Sequence, residues 1–154
     1  LELLEQPVAA HDLNGLKQVK ESTYIPIEAD ESAYSLSQVQ KILELDAVDL
    51  INTKCGKAGG INGVVQWATL AESVDKQIVI GTEWGFGLKV AAKLHLGSAI
   101  KNANPVVEFT EYMIHDLFLE NNLQLEKGYF TVPNKPGLGV VIDEGEIDKY
   151  KIDS

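Results

Sequence analysis

Apolar and polar positions follow two alternating patterns along most of the chain. Short apolar runs, spaced about 25 residues apart, have the length of buried strands. We predict strands at Leu1–Leu4, Tyr24–Ala29, Val48–Asn52, Gln77–Ile80 and Val106–Phe109. Between these runs, apolar residues recur at every third or fourth position, which predicts helices. The helices are expected at His11–Glu21, at Ser35–Leu45, from Gly59 to about Val74, and at Phe86–Ile100.

Alternating strands and helices are typical of parallel βα units. Five strands at this spacing suit either a (β/α)₈ barrel or a doubly wound sheet, and the pattern alone leaves both open. The alternation stops beyond Asn122. Gly128–Val132 and Pro133–Val141 are rich in Pro and Gly, which predicts loops and short extended segments. The acidic end, Asp143–Ser154, is expected at the surface.

Composition narrows the possible partners. The chain has 23 Asp and Glu against 13 Lys and no Arg, for a net charge of −10, which argues against nucleic-acid binding. No apolar run reaches the roughly 18 residues of a spanning helix, so no membrane association is expected. The single cysteine, Cys55, excludes an internal disulfide, and with no signal peptide in view we expect a cytoplasmic protein. Because the chain begins at Leu1 without Met, we interpret it as part of a longer protein.

Charged residues follow the predicted strands at their carboxyl ends, where barrels and open sheets place their sites. These residues are Glu5, Asp30, Glu31, Lys54, Glu83 and Glu108. Carboxylates with few His or Cys suit a hard cation such as Mg²⁺. A lysine beside a metal ion can have its pKa lowered enough to act as a base. Solvated strand ends explain the same pattern equally well, so spacing alone does not decide.

Four short motifs resemble one family. Glu5-Gln6-Pro7 resembles an E-Q-P element, Ala29-Asp30-Glu31-Ser32 an A-D-E-S element, and Lys54–Ile61 a K-x-x-K-x-G-G-I element. Val132–Gly139 resembles the tail that follows them. The gaps also agree, with 25 residues from Glu5 to Asp30 and 24 from Asp30 to Lys54. In this order the motifs resemble those of the mandelate racemase and muconate lactonizing enzymes of the enolase superfamily, in the muconate-lactonizing branch.

The resemblance implies an α/β fold, the C-terminal portion of a (β/α)₈ barrel. Residues 1–125 would supply strands four to eight, and residues 126–154 a tail that packs toward a missing N-terminal capping domain. The implied activity is abstraction of the proton α to the carboxylate of a small substrate, by a racemase or epimerase, a cycloisomerase or a dehydratase. The implied cofactor is Mg²⁺, with Mn²⁺ as an alternative.

The same resemblance implies roles for individual residues. Glu5 and Asp30 would be two of three metal ligands, and Lys54 the catalytic acid/base on one face of the substrate. Lys57 would assist charge balance in the same loop, and Glu31 would orient the lysine or a ligand.

Three further residues match positions near the substrate. Glu108 resembles a glutamate that hydrogen-bonds the substrate carboxylate. Glu83 and Trp84 lie at the strand-seven end, which helps to set substrate choice in this family. The sequence of Thr82–Gly85 differs from the M-L-E-S motif that is common at this position, so the resemblance does not identify the substrate.

Parts of the family pattern are absent from the sequence. The first metal-ligand Asp, the K-x-K lysine pair and the capping domain have no counterpart here. We therefore expect this chain to be inactive alone, to need the missing N-terminal half of the same protein, and to form a homo-oligomer in the intact enzyme. Two other readings stay open: a non-catalytic half-barrel that pairs through its open edges, and an acidic doubly wound α/β binding domain.

Other conspicuous residues are expected to be structural. Gly59-Gly60 is interpreted as a tight strand-to-helix turn, and Cys55 as a packed small residue. Trp67 lies within a predicted helix and is expected in the core. The three histidines lie on or near helices, away from strand ends, and are not expected to bind metal; they are His11, His95 and His115.

Overall fold

Four short parallel strands form the centre of the molecule. The computed structural model describes residues 1–105, 108–109, 117–121 and 123–152. Within them the strands pair in chain order, each with the next. They are β1 (Leu4–Glu5), β2 (Ile27–Ala29), β3 (Leu50–Thr53) and β4 (Gln77–Ile80). Four of the predicted strands are found near these places, three of them with shifted bounds. The strand expected at Leu1–Leu4 is Leu4–Glu5, and those expected from Tyr24 and Val48 begin only at Ile27 and Leu50.

Helices connect the strands, as the 3.6-residue pattern predicts. They are α1 (Leu13–Glu21), α2 (Leu36–Glu44), α3 (Cys55–Ala58), α4 (Ile61–Glu72) and α5 (Gly87–Ala99). Side chains set two of the starts, because Asp12 accepts a hydrogen bond from the Gly15 N–H at 2.8 Å and Ser35 accepts one from the Gln38 N–H at 3.3 Å. The single turn α3 was not predicted.

The turn into α4 depends on two glycines. Gly59 and Gly60 have φ angles of 80° and 108°, which side-chain-bearing residues rarely adopt. Gly60 precedes the first residue of α4, so the predicted tight turn is confirmed.

Register divides the strand residues between two faces. Ile27, Ile51 and Ile78 point to the outer face and are fully buried against the helices. The alternate residues, including Glu28 and Asn52, point to the inner face. Residues of α1, α2, α4 and α5 join one core with the outer-face residues, so these helices cover the same face of the sheet. One-sided cover is the arrangement of a barrel wall, whereas a doubly wound sheet carries helices on both faces.

A fifth segment follows β4 along the sheet. The Asn104 N–H donates to the Ile78 carbonyl at 2.7 Å, and the Glu108 N–H donates to the Ile80 carbonyl at 3.3 Å. The predicted strand Val106–Phe109 lies partly outside the described residues, because 106 and 107 are not among them. Its described members, Glu108 and Phe109, belong to no named strand.

The C-terminal tail has more structure than its composition predicts. A two-stranded antiparallel hairpin, β5 (Leu125–Glu126) and β6 (Tyr129–Phe130), turns through Lys127 and Gly128, both with positive φ. A short helix, α6 (Glu144–Asp148), begins after Asp143. The short extended segment predicted at Gly128–Val132 contains β6, but the pairing with β5 and the helix α6 were not predicted.

The tail lies against the barrel portion. The Asp143 N–H donates to the Phe118 carbonyl at 2.9 Å, and the His95 ring nitrogen Nε2 lies 3.1 Å from the Leu138 carbonyl. His95 therefore has a structural contact, as expected, and His11 is exposed. His115 lies outside the described residues. Contact of the tail with a capping domain stays a prediction. No helix among the described residues is long and apolar enough to cross a membrane.

We expect replacement of Trp67 to destabilise the fold strongly. Trp67 is 1% exposed within the core, so Trp67→Ala should lower the free energy of unfolding by about 3–5 kcal/mol. The matched control is Trp84→Ala, which removes a side chain that is 71% exposed and should change stability by less than about 0.5 kcal/mol. Urea denaturation followed by circular dichroism measures both, and equal losses would contradict the assignment of Trp67 to the core.

Candidate active site

Charged and amide side chains collect on the inner face of the sheet, toward the carboxyl ends of the strands. Glu5 ends β1, Asp30 follows β2, Lys54 follows β3 and Glu108 lies beyond β4. Parallel pairing brings these ends to one edge, so residues far apart in sequence become neighbours. The structure therefore brings together most of the residues that the sequence pattern singled out.

Asp30 is held between two lysines. The Lys54 Nζ lies 2.5 Å from the Asp30 Oδ2, and the Lys57 Nζ lies 2.5 Å from the Asp30 Oδ1. Lys57 also donates to the backbone carbonyls of Asp30 at 2.8 Å and Asn52 at 3.1 Å. Each Asp30 carboxylate oxygen thus forms an ion pair with a lysine. The prediction of Asp30 as a metal ligand did not include these ion pairs.

The pKa values of this ion-pair cluster shift for different reasons. Burial raises the pKa of Asp30, but hydrogen bonds and charge from Lys54 and Lys57 outweigh it, so the pKa is lowered overall. For Lys57, burial outweighs the attraction of Asp30, and its pKa is lowered. The side chain of Lys57 is 7% exposed, whereas that of Lys54 is 15% exposed. The more buried lysine therefore carries the larger desolvation cost.

Gln6 connects this cluster to the first strand. Its Oε1 accepts hydrogen bonds from the backbone N–H groups of Asp30 and Ser32, both at 3.0 Å. Its Nε2 donates to the Ser32 hydroxyl at 2.8 Å. Gln6 thereby fixes the loop that presents Asp30, which gives the motif Glu5-Gln6-Pro7 a physical reason. Sequence reasoning used the motif for recognition and did not assign Gln6 this role.

A second cluster consists of carboxylates. Glu5, Glu28 and Glu108 each place one carboxylate oxygen within 4.8 Å of the others. Glu5 and Glu28 are direct partners in the β1–β2 register, so both side chains leave the sheet on the same face. Burial, followed by the negative charges of Glu108 and Asp30, raises the pKa of Glu5. The three carboxylates therefore repel one another in the absence of a cation.

Glu28 was missed by the sequence analysis. It is fully buried, and neither carboxylate oxygen has a hydrogen bond of ordinary geometry within the described part of the chain, although the Asn52 amide lies close enough to act on its pKa. Burial raises its pKa to about 7, opposed by the Asn52 amide and supported by the charges of Glu5, Glu108 and Asp30. A signal was available: an acidic residue interrupts an apolar strand two positions before Asp30, and therefore faces the same side.

Glu108 is fixed by groups from the β4 end. Its Oε2 accepts a hydrogen bond from the Thr82 N–H at 2.8 Å, and its backbone carbonyl accepts one from the Lys93 Nζ at 2.7 Å. The Asn52 Nδ2 reaches the Glu108 Oε1 at 3.4 Å. Glu108 is half-buried and faces the other carboxylates, which agrees with its predicted place in the site.

The remaining predicted residues lie at the rim. Glu83 accepts a hydrogen bond from the Gly56 N–H at 2.6 Å, so it connects the loops after β3 and β4. Trp84 is 71% exposed, and Glu31 is exposed beside the lysines, where its charge acts on Lys57. Cys55 packs against the edge of the core, as expected.

The donor set fits a hard divalent cation. Three converging carboxylates, of which the buried Glu28 has no hydrogen-bond partner among the described residues, supply the oxygen ligands and negative charge that suit Mg²⁺ and Mn²⁺. A cavity of about 520 Å³ opens instead toward the amino ends of the strands, lined by residues such as Pro26 and Gln77. It shares only Glu108 with the residues of the candidate site.

Loss of the Asp30 carboxylate should destabilise the fold. Asp30→Asn leaves two poorly exposed lysines without their anion, and we expect a loss of about 3 kcal/mol in unfolding free energy. The control Glu31→Gln removes a neighbouring exposed charge and should cost less than about 0.5 kcal/mol. Urea denaturation at pH 7 distinguishes them, and equal stability of the two variants would contradict this account.

Glu28 should make stability depend on pH in metal-free buffer with a chelator. Because its folded pKa of about 7 lies above the ordinary 4.5, the folded state binds the extra proton between these values, and stability falls as pH rises through that window. The loss amounts to about 3 kcal/mol above pH 7. The free energy of unfolding of Glu28→Gln, compared with that of the wild type, should therefore rise by about this amount between pH 5 and pH 8. The control Glu44→Gln, at an exposed site, should show no such rise. A difference in unfolding free energy between Glu28→Gln and the wild type that stays constant with pH would refute the raised pKa of Glu28.

Comparison with known proteins agrees with this geometry. Residues 1–146 match the family described as Enolase C-terminal domain-like. The chain is 33% identical over 141 residues to the L-Ala-D/L-Glu epimerase of Bacillus subtilis, covering 92% of this chain and 38% of the epimerase. It is 32% identical over 146 residues to the L-Ala-D/L-Glu epimerase of Clostridium acetobutylicum, covering 91% of this chain and 39% of that protein.

Solved structures show the same fold. The substrate-liganded complex of the Bacillus subtilis epimerase matches with a TM-score of 0.86, over 92% of this chain and 39% of that chain. The 2-chloromuconate cycloisomerase of Rhodococcus opacus 1CP matches with a TM-score of 0.93 at 26% identity, over 99% of this chain and 42% of that chain. The chain thus spans about 40% of the length of these relatives. It belongs to the enolase superfamily, within the mandelate racemase/muconate lactonizing enzyme family, and contains part of the C-terminal (β/α)₈ barrel domain of that family.

Proposed function

We propose that the chain supplies one half of the active site of an enzyme that abstracts the proton α to a substrate carboxylate. The observation that carries this proposal is the pairing of Lys54 with Asp30 at 2.5 Å, at the carboxyl ends of the strands and beside the carboxylates of Glu5 and Glu108. A candidate base, an anion that positions it and oxygen ligands for a cation thus occupy one edge of the sheet. Family membership supports the same chemistry.

In this proposal Lys54 is the catalytic acid/base. Asp30 orients the Lys54 ammonium group, and the neutral amine takes the proton from the α carbon and returns it. Lys57 is fixed by three oxygens, so it stays in place and balances the charge of Asp30. Glu31, at the exposed end of the cluster, adds a negative charge that favours the protonated form of Lys57.

Glu5 and Asp30 would hold the divalent cation, Mg²⁺ or Mn²⁺. When bound, the cation neutralises the negative charge that develops on the substrate carboxylate. Each carboxylate oxygen has more than one lone pair, so Asp30 could keep its hydrogen bonds to Lys54 and Lys57 and still offer an oxygen to the cation. Glu108, fixed by the Thr82 N–H, faces the place of the substrate carboxylate, and Glu83 and Trp84 form the rim that contacts the rest of the substrate.

Epimerisation or racemisation is the favoured reaction among those of the family. Both sequence relatives described above are epimerases, at 33% and 32% identity, whereas the muconate cycloisomerase 1-2 of Acinetobacter lwoffii is 27% identical. We therefore infer a small carboxylate substrate with an exchangeable α hydrogen, such as an amino-acid derivative. Cycloisomerisation and dehydration remain the alternatives.

The complete site requires more than this chain. A third carboxylate ligand and a base for the opposite face have no counterpart in the sequence, and the chain spans about 40% of its relatives. We propose that the remaining barrel strands and a capping domain belong to the same protein, and that this protein acts as a homo-oligomer in the cytoplasm. Self-association of this chain without cation binding would instead favour the non-catalytic half-barrel.

Proton exchange in D₂O tests the proposal. The protein that carries this chain with the rest of its barrel should wash deuterium into the α carbon of L-Ala-L-Glu, used as the probe, and a chelator should abolish the exchange. Lys54→Met should lower the exchange rate by about 10³-fold for the epimer, L-Ala-L-Glu or L-Ala-D-Glu, whose α hydrogen faces Lys54, because the acid/base on that face is lost.

The matched control is Lys41→Met, which removes an exposed lysine on α2 and should leave exchange unchanged. Circular dichroism confirms folding of both variants. Exchange of both epimers at the wild-type rate in Lys54→Met would refute the role of Lys54, and exchange that survives chelation would refute the role of the cation.

A further inference from the structure

We propose that Glu83 is a positioning residue for the candidate base Lys54. Its carboxylate binds the turn α3 from the loop after β4 and fixes the backbone that carries Lys54. The family resemblance placed Glu83 beside the substrate, whereas in this inference it acts through the turn. The inference rests on the proposed function, in which Lys54 transfers the α proton, and adds a residue to it.

The turn α3 has little apolar packing to hold it. It is four residues long, from Cys55 to Ala58, and none of the four is fully buried. A groove of about 610 Å³ runs between Cys55 and the first turns of α5, where Leu88 and Ala92 line it. Because packing is sparse on this side, hydrogen bonds must set the position of the turn.

The amino end of α3 has no cap from its own segment. Lys54 occupies the capping position, and its side chain makes no capping hydrogen bond, since an ammonium group has no acceptor atom. The Gly56 N–H donates instead to the Glu83 Oε1 at 2.6 Å. Glu83 thus supplies from another loop the acceptor that Ser, Thr or Asp usually supplies from the capping position. Its negative charge also suits the positive end of the turn.

Glu83 reaches α3 from a loop that is itself fixed. The Lys89 Nζ donates to the Trp84 carbonyl at 3.1 Å and lies 3.6 Å from the Glu83 Oε1. The side chain of Glu83 is 23% exposed, so water competes for its hydrogen bond only in part. A Cβ at Gly56 would clash with the Glu83 Oε2. Glycine at this position therefore lets the carboxylate approach the backbone.

The turn is anchored toward both neighbouring strands. α3 follows β3, which lies between β2 and β4 in the sheet. Lys57 connects the turn to the β2 side, through the Asp30 carbonyl at 2.8 Å, and Glu83 connects it to the β4 side. Lys54 lies between these anchors, and its carbonyl accepts the Ala58 N–H at 2.9 Å. Loss of either anchor would therefore move the backbone of Lys54.

α-Proton exchange in D₂O, measured separately for L-Ala-L-Glu and L-Ala-D-Glu, tests the inference in the protein that carries this chain with the rest of its barrel. Lys54→Met identifies the epimer whose α hydrogen faces Lys54. For that epimer Glu83→Ala should lower kcat by about 10- to 100-fold, because a small displacement of a catalytic group has an effect of this size. Exchange of the other epimer should stay within about twofold, because its base lies outside the turn.

Three further variants separate the hydrogen bond from other effects. Glu83→Gln keeps an oxygen acceptor for the Gly56 N–H and should restore most of the rate. The matched control Glu44→Ala removes an exposed glutamate on α2 and should leave exchange of both epimers unchanged. Gly56→Ala displaces the Glu83 carboxylate while favouring the helix, so it should lower exchange of the same epimer even if Glu83→Ala does not fold.

Amide hydrogen exchange at Gly56, followed by NMR without substrate, measures the hydrogen bond itself. Glu83→Ala should speed this exchange by about tenfold or more, because the turn loses a hydrogen bond that protects it. Glu83→Gln and Glu44→Ala should leave it near the wild-type rate. An unchanged rate in Glu83→Ala would overturn the inference.

The two epimers also separate this inference from the proposed function. An equal loss of exchange for both epimers in Glu83→Ala, a raised KM with unchanged kcat, or exchange at the wild-type rate would each overturn the positioning role. In these cases the effect of Lys54→Met on one epimer remains, and the proposed function stands. If Lys54→Met lowers exchange of neither epimer, the proposed function fails and the inference fails with it.

Discussion

The in-register pairing of four parallel strands is the constraint on which the rest of the structure depends. Because side chains alternate between faces, this pairing buries Ile27, Ile51 and Ile78 against the helices and turns Glu28 and Asn52 to the opposite side. A shift of one residue in any strand would exchange these sets and place charge in the hydrophobic core. The same register that stabilises the fold therefore assembles the polar inner face.

That inner face contains two electrostatic environments side by side. Asp30 is compensated by two lysines, and its pKa is lowered, whereas Glu28 has no partner among the described residues and its pKa is raised. Opposite shifts in neighbouring carboxylates are typical of active sites, where the charge on each group is set by its surroundings. In the proposed function these environments serve two tasks, because the lysine cluster would transfer protons and the carboxylates would offer oxygens to a cation.

On the inner face, the carboxylates that suit cation binding lower the stability of the cation-free protein. An uncompensated buried glutamate weakens the cation-free protein, and a bound cation would restore that stability through mass action. The outer face has no such conflict, since the helices bury one continuous apolar core with Trp67 within it. The protein can thus keep a costly inner face because its outer face is well packed.

The sequence by itself determined the order and kind of most elements, because apolar periodicity depends only on local spacing. It also determined which residues end the strands, and its motifs identified the family through Glu5, Asp30 and Lys54. It did not reveal α3, the hairpin β5–β6 or α6, which are short and stabilised by turns and contacts instead of by an apolar pattern. Barrel wall and doubly wound sheet were equally compatible with the pattern.

Tertiary structure decided what depends on distance across the sheet. One-sided helix cover selected the barrel, and strand register joined Glu28, passed over inside an apolar run, to Glu5 and Glu108. The pairing of Asp30 with both lysines was equally invisible in the sequence, since those residues are 24 and 27 positions apart. Spacing along a chain specifies the face on which a side chain lies, but only the packed sheet specifies which charges meet there.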